Sequence, residues 1–297
     1  MMKYIFPYLQ LMRPANIVTS ITNVASGFVA SYSFLENIYG LNYSNFLYLL
    51  LASIGLYGGG IVFNDFFDSS IDAIERPYRP IPSGAVQKSH AGILGSFLFF
   101  VALLAALKVS LIGFFIALII CILCFLYNTI TKHTESFGGI TLALCRGLNL
   151  LLGTTSIPSG TFYLWPLAFI PFGLTIAIKL NSQTEVQGGE KLKLIRSILF
   201  YILTIFTFLI VLKAYDKKFE SSFFFLGLYI GINFFYFKNA FDNPIPFNIQ
   251  KLVKWGVLSF IIMDAASVAS FSNFYYGLLV LSLLPISLFL SKFFTVT

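Results

Sequence analysis

Apolar stretches long enough to cross a bilayer recur along almost the whole chain, and they leave few alternatives for its fold. A spanning helix needs about 20 mostly apolar residues. Such runs lie at 16–34, 46–66, 92–109, 111–130, 137–157, 163–182, 196–214, 221–240, 253–271 and 274–294. The count is nine, or ten with 253–271, a run that carries Lys254 and Asp264. Only 10% of the 297 residues are charged, against 58% that are hydrophobic. A soluble domain carries about 25% charged residues, so this chain has too few to cover a surface facing water. That excludes an ordinary soluble enzyme, a disordered chain and a disulfide scaffold, and leaves an all-α, polytopic membrane helix bundle. Short loops join the runs and no linker divides them, so residues 1–297 read as a single domain.

The formal charge of +7 would suggest a nucleic-acid partner in a soluble protein. In a membrane protein, an excess of Lys and Arg in cytoplasmic loops explains it, and no basic run interleaved with aromatics supports nucleic-acid binding. Basic residues recur on alternate connections: Lys3 and Arg13, then Arg76, Arg79 and Lys88, Lys132, Lys191 with Lys193 and Arg196, and Lys238 with Lys251 and Lys254. The other side has Lys108, and Lys213, Lys217 and Lys218 diluted by Asp216 and Glu220. The expected placement is multi-pass in the cell (inner) membrane, with the first group of loops cytoplasmic. No removable signal peptide is expected, because Pro7, Gln10 and Arg13 interrupt the N-terminal apolar stretch. Cys121, Cys124 and Cys145 lie inside apolar runs and read as small helix residues.

Acidic residues concentrate at the end of the second run, in NDFFDSSIDAIERPYRPIPSG from Asn64 to Gly84. On a continuing helix Asp65, Asp68 and Asp72 are spaced i, i+3, i+7 and share one face. Three carboxylates near hydrocarbon need compensating charge. A hard cation is the natural partner, and Mg²⁺ is usually held by one or two carboxylates plus substrate phosphates. Arg76 and Arg79 follow among Pro77, Pro80 and Pro82, and guanidinium groups there suit a phosphate-bearing substrate. A lone Asp and Arg would read as an ordinary membrane-surface helix end, but four ordered polar positions backed by two arginines say more.

N-D-x-x-D-x-x-x-D followed by R-P-x-R-P-I-P-S-G resembles the UbiA superfamily of intramembrane prenyltransferases. RPAN at 13–16 and YNTITKHT at 127–134 resemble the same family. The pattern LxSxxEVxGG from Leu180 to Gly189, with ALCRGLNLLLG upstream, looks closest to the UbiA-like protein EboC subgroup. The resemblance implies a bundle around a central cavity with two acidic loops facing across it. The second acidic motif, typically D-x-x-x-D, is Asn181 and Glu185 here, with Glu190 beyond. The amide of Asn181 brings no negative charge, which weakens a second cation site. The implied activity is Mg²⁺-dependent transfer of an isoprenoid from its diphosphate to an aromatic or other small-molecule acceptor. Asp65, Asp68, Asp72, Asn181 and Glu185 would hold Mg²⁺, and Arg79 and Lys132 would contact the diphosphate. Asn64, Arg76, Lys191, Tyr127 and Asn16 are substrate-binding candidates. Implied partners are the isoprenyl diphosphate donor, the acceptor, membrane lipids and proteins of a small metabolic cluster.

Asn16, Arg146, Asn149 and Asp264 are polar inside apolar runs, which makes each a functional candidate or an interhelical hydrogen-bonding group. Gly55, Gly58, Gly59 and Gly60 read as close-packing positions. Two other readings compete: a transporter or lipid-binding protein that uses the scaffold without chemistry, or a transferase with another diphosphate-linked donor, such as a phosphoribosyl donor. A polar pocket would favour the latter.

Overall fold

Backbone polar groups in hydrocarbon must be satisfied within the segment, so apolar runs of this length become helices. A computed structural model describes residues 2–34, 42–183, 188 and 190–294. Among the described residues it contains fourteen α-helices and no strand. In chain order they are α1 (Met2–Met12), α2 (Pro14–Phe34), α3 (Tyr43–Phe67), α4 (Ser69–Glu75), α5 (Lys88–Val109), α6 (Leu111–Thr129), α7 (Glu135–Thr154), α8 (Pro158–Leu164), α9 (Phe169–Ser182), α10 (Lys191–Ala214), α11 (Phe223–Asp242), α12 (Pro246–Phe271), α13 (Phe274–Leu281) and α14 (Leu283–Leu290).

Helix starts follow local chemistry. Ser110 accepts from the backbone N–H of Gly113 at 3.0 Å to cap α6, and Asn42 accepts from that of Asn45 at 3.1 Å to cap α3. Asn273 accepts from Tyr275 and Tyr276 at the start of α13. Pro14 opens α2, where a missing N–H is harmless.

Seven described segments are long and apolar enough to cross a membrane: α3, α5, α6, most of α7, α8 through α9, α10 and α12. The nine or ten expected from the sequence exceeds the seven that length and apolarity support. Each expected run is mostly helical in its described part, yet α2 carries many hydroxyl and amide side chains, and α13 and α14 are separated at Ser282. The doubtful run 253–271 is the most enclosed, since every residue of α12 from Leu258 to Phe271 is buried. Its Asp264 receives hydrogen bonds from Thr22 Oγ1 (2.7 Å) and Asn23 Nδ2 (3.3 Å) of α2. A helix buried all round can hold a carboxylate mid-span when neighbours bond it.

Around α2 and α12 the other helices pack in sequence: α3 with α5, α5 with α6, α6 with α7, α7 with α9, α9 with α10 and α11 with α12. The α2–α7 crossing needs two glycines. A Cβ at Gly27 would lie 2.0 Å from the Leu150 carbonyl oxygen, and one at Gly153 would lie 2.1 Å from that of Val24. Gly55 and Gly59 bear out the close-packing expectation: added Cβ atoms would meet the Leu98 carbonyl oxygen and the Phe99 ring, each at 2.6 Å. The outer faces of α5 and α6 expose Phe97, Phe100, Leu104, Phe115, Ile119 and Ile122, an apolar belt suited to lipid.

Candidate active site

The acidic motif lies where α3 ends. Asp68 links α3 to α4, its N–H bonding the Asn64 carbonyl and its carbonyl accepting from Asp72 N–H. Asp65 and Asp72 are buried. Two turns apart, they converge on one guanidinium: Arg79 Nη1 donates to Asp65 Oδ1 at 3.2 Å and to Asp72 Oδ2 at 2.6 Å. Arg13 Nη2 donates to the same Asp65 oxygen at 2.9 Å, and Arg76 Nη1 stands 3.9 Å from Asp72.

Asp68 faces elsewhere, which corrects the expectation of a single three-carboxylate face. An i+3 position is rotated by about 60° from its partner on a helix, enough for different cations to claim each side. Asp68 forms an ion pair with Lys132. Asn64 Nδ2 donates to Asp68 Oδ2 (3.1 Å) and to Asn128 Oδ1 (3.0 Å), and Asn128 in turn bonds the Cys124 carbonyl. Four cations thus surround three carboxylates at one end of the bundle. Buried or half-buried carboxylates at this depth require such partners.

Arg13 reaches Asp65 because the chain turns between α1 and α2. Its φ is 48°, in the left-handed region, at a cost of about 1–2 kcal/mol. Leu11, just before it, is fully buried against Val62, Val86 and Ala91, which fixes α1 on the end of α3. The motif RPAN contained Arg13, but nothing in its spacing from Asp65 announced the pairing. Asn128 was equally present in YNTITKHT without an assigned part.

Below the charged cap lies a cavity of about 290 Å³ lined by residues of α3, α6, α7, α9 and α12. Asn64, Tyr127 and Asn128 line its upper part, and Tyr57, Arg146, Asn149 and Phe260 line it deeper; most of the rest is aliphatic. The cap and the cavity are continuous through Asn64.

Two other expected residues, Asn181 and Lys191, are placed elsewhere in the bundle. Asn181 is fully buried in the last turn of α9, beside Tyr201 of α10, and does not line the cavity. Asn16 is buried on α2 behind the cap. Lys191 starts α10 with Nζ 5.7 Å from the Phe241 ring. Glu185 lies outside the described residues, and Glu190 pairs with Lys193 at 3.4 Å. The last turns of α9 lie at the same end as the cap: a Cβ at Gly138 would lie 3.2 Å from Lys132 Cα, and one at Gly139 would lie 3.4 Å from Lys179 Cγ.

An all-helical membrane bundle with carboxylates and cations capping an apolar chamber defines a class of intramembrane site for amphiphilic phosphates. Sequence comparison narrows the class, since the profile of the UbiA prenyltransferase family matches residues 22–242. The chain belongs to that family. It is similar to digeranylgeranylglyceryl phosphate synthase of Saccharolobus solfataricus, with 28% identity over 196 residues, 64% of this chain and 67% of the relative. The same-named protein of Thermococcus gammatolerans is 35% identical over 148 residues, 48% of this chain and 51% of the relative. The chain thus aligns with about half to two-thirds of the length of these curated relatives. Among solved structures, a study of digeranylgeranylglyceryl phosphate synthase in membranes gives a TM-score of 0.68 at 18% identity, covering 91% of this chain and 99% of that one. A UbiA homolog from Archaeoglobus fulgidus bound to GPP and Mg²⁺ gives 0.63 at 14% identity, covering 93% and 99%. At these identities the structures establish the fold.

Proposed function

We propose that the protein is a prenyltransferase that moves an isoprenoid from its diphosphate to a small acceptor. The observation that carries this reading is the junction of charged cap and apolar chamber at Asn64. A diphosphate needs cations and a metal, its isoprenoid needs apolar walls, and the bond between them must lie at the boundary. The apolar lining speaks against a phosphoribosyl donor.

The carboxylates of Asp65, Asp68 and Asp72 are hard oxygen donors of the kind Mg²⁺ takes together with substrate phosphates. Their chemistry fits, although no described group gathers three such ligands. The carboxylates available to it are therefore Asp68 on one side and Asp65 with Asp72 on the other. Bound there, Mg²⁺ would neutralise charge on the departing diphosphate. Arg79, Arg13 and Lys132 would exchange carboxylate for phosphate oxygens through charge-assisted hydrogen bonds. Asn64 and Asn128 hold Asp68 in place. Tyr127 faces the position of a developing allylic cation, and one aromatic face contributes about 0.5–2 kcal/mol to such a cation. The apolar walls of the chamber would limit the water that reaches the cation.

The names of the curated relatives suggest a glycerophosphate-type acceptor as the first to try. The EboC-like pattern and the positive loops add two further parts to the proposal: membership of that subgroup, and a bundle of nine or ten crossings with the cap facing the cytoplasm. Purified protein supplied with short isoprenyl diphosphates should release diphosphate only with Mg²⁺. Asp68→Asn and Lys132→Met should each lower that rate at least about a hundredfold, in line with loss of one electrostatic transition-state contact. Undiminished turnover in either variant would refute the reading.

A further inference from the structure

Deep in the cavity lies an arginine that the charged cap does not use. Arg146 of α7 is 8% exposed and lines the chamber. Its guanidinium lies between two rings, 4.6 Å from the Tyr57 centroid and 4.5 Å from that of Phe260. Nη2 donates to Thr19 Oγ1 at 2.8 Å. Nη1 is buried and has no hydrogen-bond partner. No carboxylate lies within 4.0 Å of it among the described residues. The buried acid of this region, Asp264, is taken by Thr22 and Asn23. Asn149 beside it is likewise occupied, accepting from Ser53 Oγ (2.8 Å) and donating to Ser20 O and Asn23 Oδ1 (3.0 and 3.2 Å).

Asp264 attracts the guanidinium only from beyond ion-pair distance, and aromatic faces offset only part of the cost of a cation at bilayer depth. The bonds joining Asn149, Asn23 and Ser53 close without it, and its single bond to Thr19 Oγ1 leaves the buried Nη1 without a partner. We propose that Arg146 binds an anionic oxygen group of the acceptor, so that the acceptor enters the chamber with its charged end down and its nucleophile toward the cap. This rests on the transferase reading. Tyr57 precedes Asn64 by seven residues on α3, so the anchor lies about 10 Å from the cap at 1.5 Å per residue. That leaves room for a compact molecule between the anion and the carbon that leaves its diphosphate. The rings of Tyr57 and Phe260 hold the guanidinium plane fixed, which presents its remaining edge without further loss of side-chain freedom.

The test uses the full chain purified in detergent, with thermal stabilisation read for benzoate, phenyl phosphate and benzyl alcohol. One or both anions should bind to the wild-type protein, and their affinity should fall at least about tenfold in Arg146→Met, the loss of one charge-assisted contact. Benzyl alcohol should bind both proteins alike. Benzoate against phenyl phosphate tells whether the acceptor's group is a carboxylate or a phosphate. Should Arg146→Met not fold, Arg146→Lys replaces it and should weaken the anions by a similar factor, because the ammonium lacks the planar fork. Anion affinity undiminished in the variant, or stabilisation by benzyl alcohol alone, overturns the proposal. A parallel titration with Mg²⁺ and inorganic pyrophosphate should stabilise the Arg146 variants and fail with Asp68→Asn. That arm reports on the cap, so a failed donor site and a failed acceptor anchor give different patterns.

Discussion

Arg79 is the cation whose loss should be felt most. Its Nη1 bonds both buried carboxylates, and their other partners are unequal. Without Arg79, Asp65 keeps Arg13 at 2.9 Å, whereas Asp72 keeps only Arg76 at 3.9 Å, beyond hydrogen-bond length. The Asp72 side chain is 3% exposed, so water cannot replace what is lost. Removing one partner of a buried pair costs about 3–5 kcal/mol. Because only one of the two carboxylates is stranded, Arg79→Ala should fall near the lower end, about 3 kcal/mol. Arg76→Ala should cost at most about 1 kcal/mol, since that side chain is 43% exposed and its long pair is screened. Arg13→Ala should fall between them, because Asp65 retains Arg79. Denaturant or thermal unfolding in one detergent would rank the three. The double variant Arg79→Ala/Asp72→Asn removes the stranded charge and should regain about half of the loss or more, as a coupled pair requires. Equal losses for Arg79→Ala and Arg76→Ala, or no recovery in the double variant, would refute the assignment of Arg79 as the shared partner of two buried acids.

Two further outcomes follow from packing inside the bundle. Gly27→Ala and Gly153→Ala each drive a methyl group into the facing backbone of the α2–α7 crossing, and each should lower stability by about 1–3 kcal/mol or more; unchanged unfolding midpoints would mean that the two helices separate freely. Asp264→Ala strips the buried Asn23 Nδ2 of its acceptor and leaves Thr22 Oγ1 only the Thr19 carbonyl, and should cost about 1–3 kcal/mol, while Asp264→Asn, which retains an acceptor oxygen, should cost less. The ordering of those two variants in a thermal scan is the check.

Hydropathy alone made the helical bundle legible, because runs of apolar residues about 20 long have few folds open to them. It left α12 in doubt as a crossing, since Lys254 and Asp264 count against a span while the hydroxyl and amide side chains that bond Asp264 lie on α2, more than two hundred residues away. The acidic motif was legible in its residue types but only partly in its geometry. Spacing predicts which side chains can share a face; it does not say which cations stand on either side. Arg13, from the junction of α1 and α2, and Lys132, from the segment between α6 and α7, divide Asp65 and Asp72 from Asp68. Arg146 stood out as a charge inside an apolar run. Its aromatic clamp and unpaired Nη1 belong to the packing of α3, α7 and α12 and have no signature in a single segment.

The pairing at the cap also bears on how a diphosphate would be recognised. Carboxylates and cations at this depth would be costly apart, and together they let the ends of α3 and α4 stay closed over the chamber. Each contact is charge-assisted, so a phosphate oxygen offers Arg13, Arg79 or Lys132 a bond equal to the one it would give up. Exchange of partners would therefore leave the number of strong bonds unchanged, and the carboxylates freed by it would be available to whatever cation accompanies the diphosphate. A neutral phosphate mimic would gain nothing from that exchange. Selection for charge at the cap and for apolarity below it would then arise from the same few side chains, with Asn64 at the boundary joining the two.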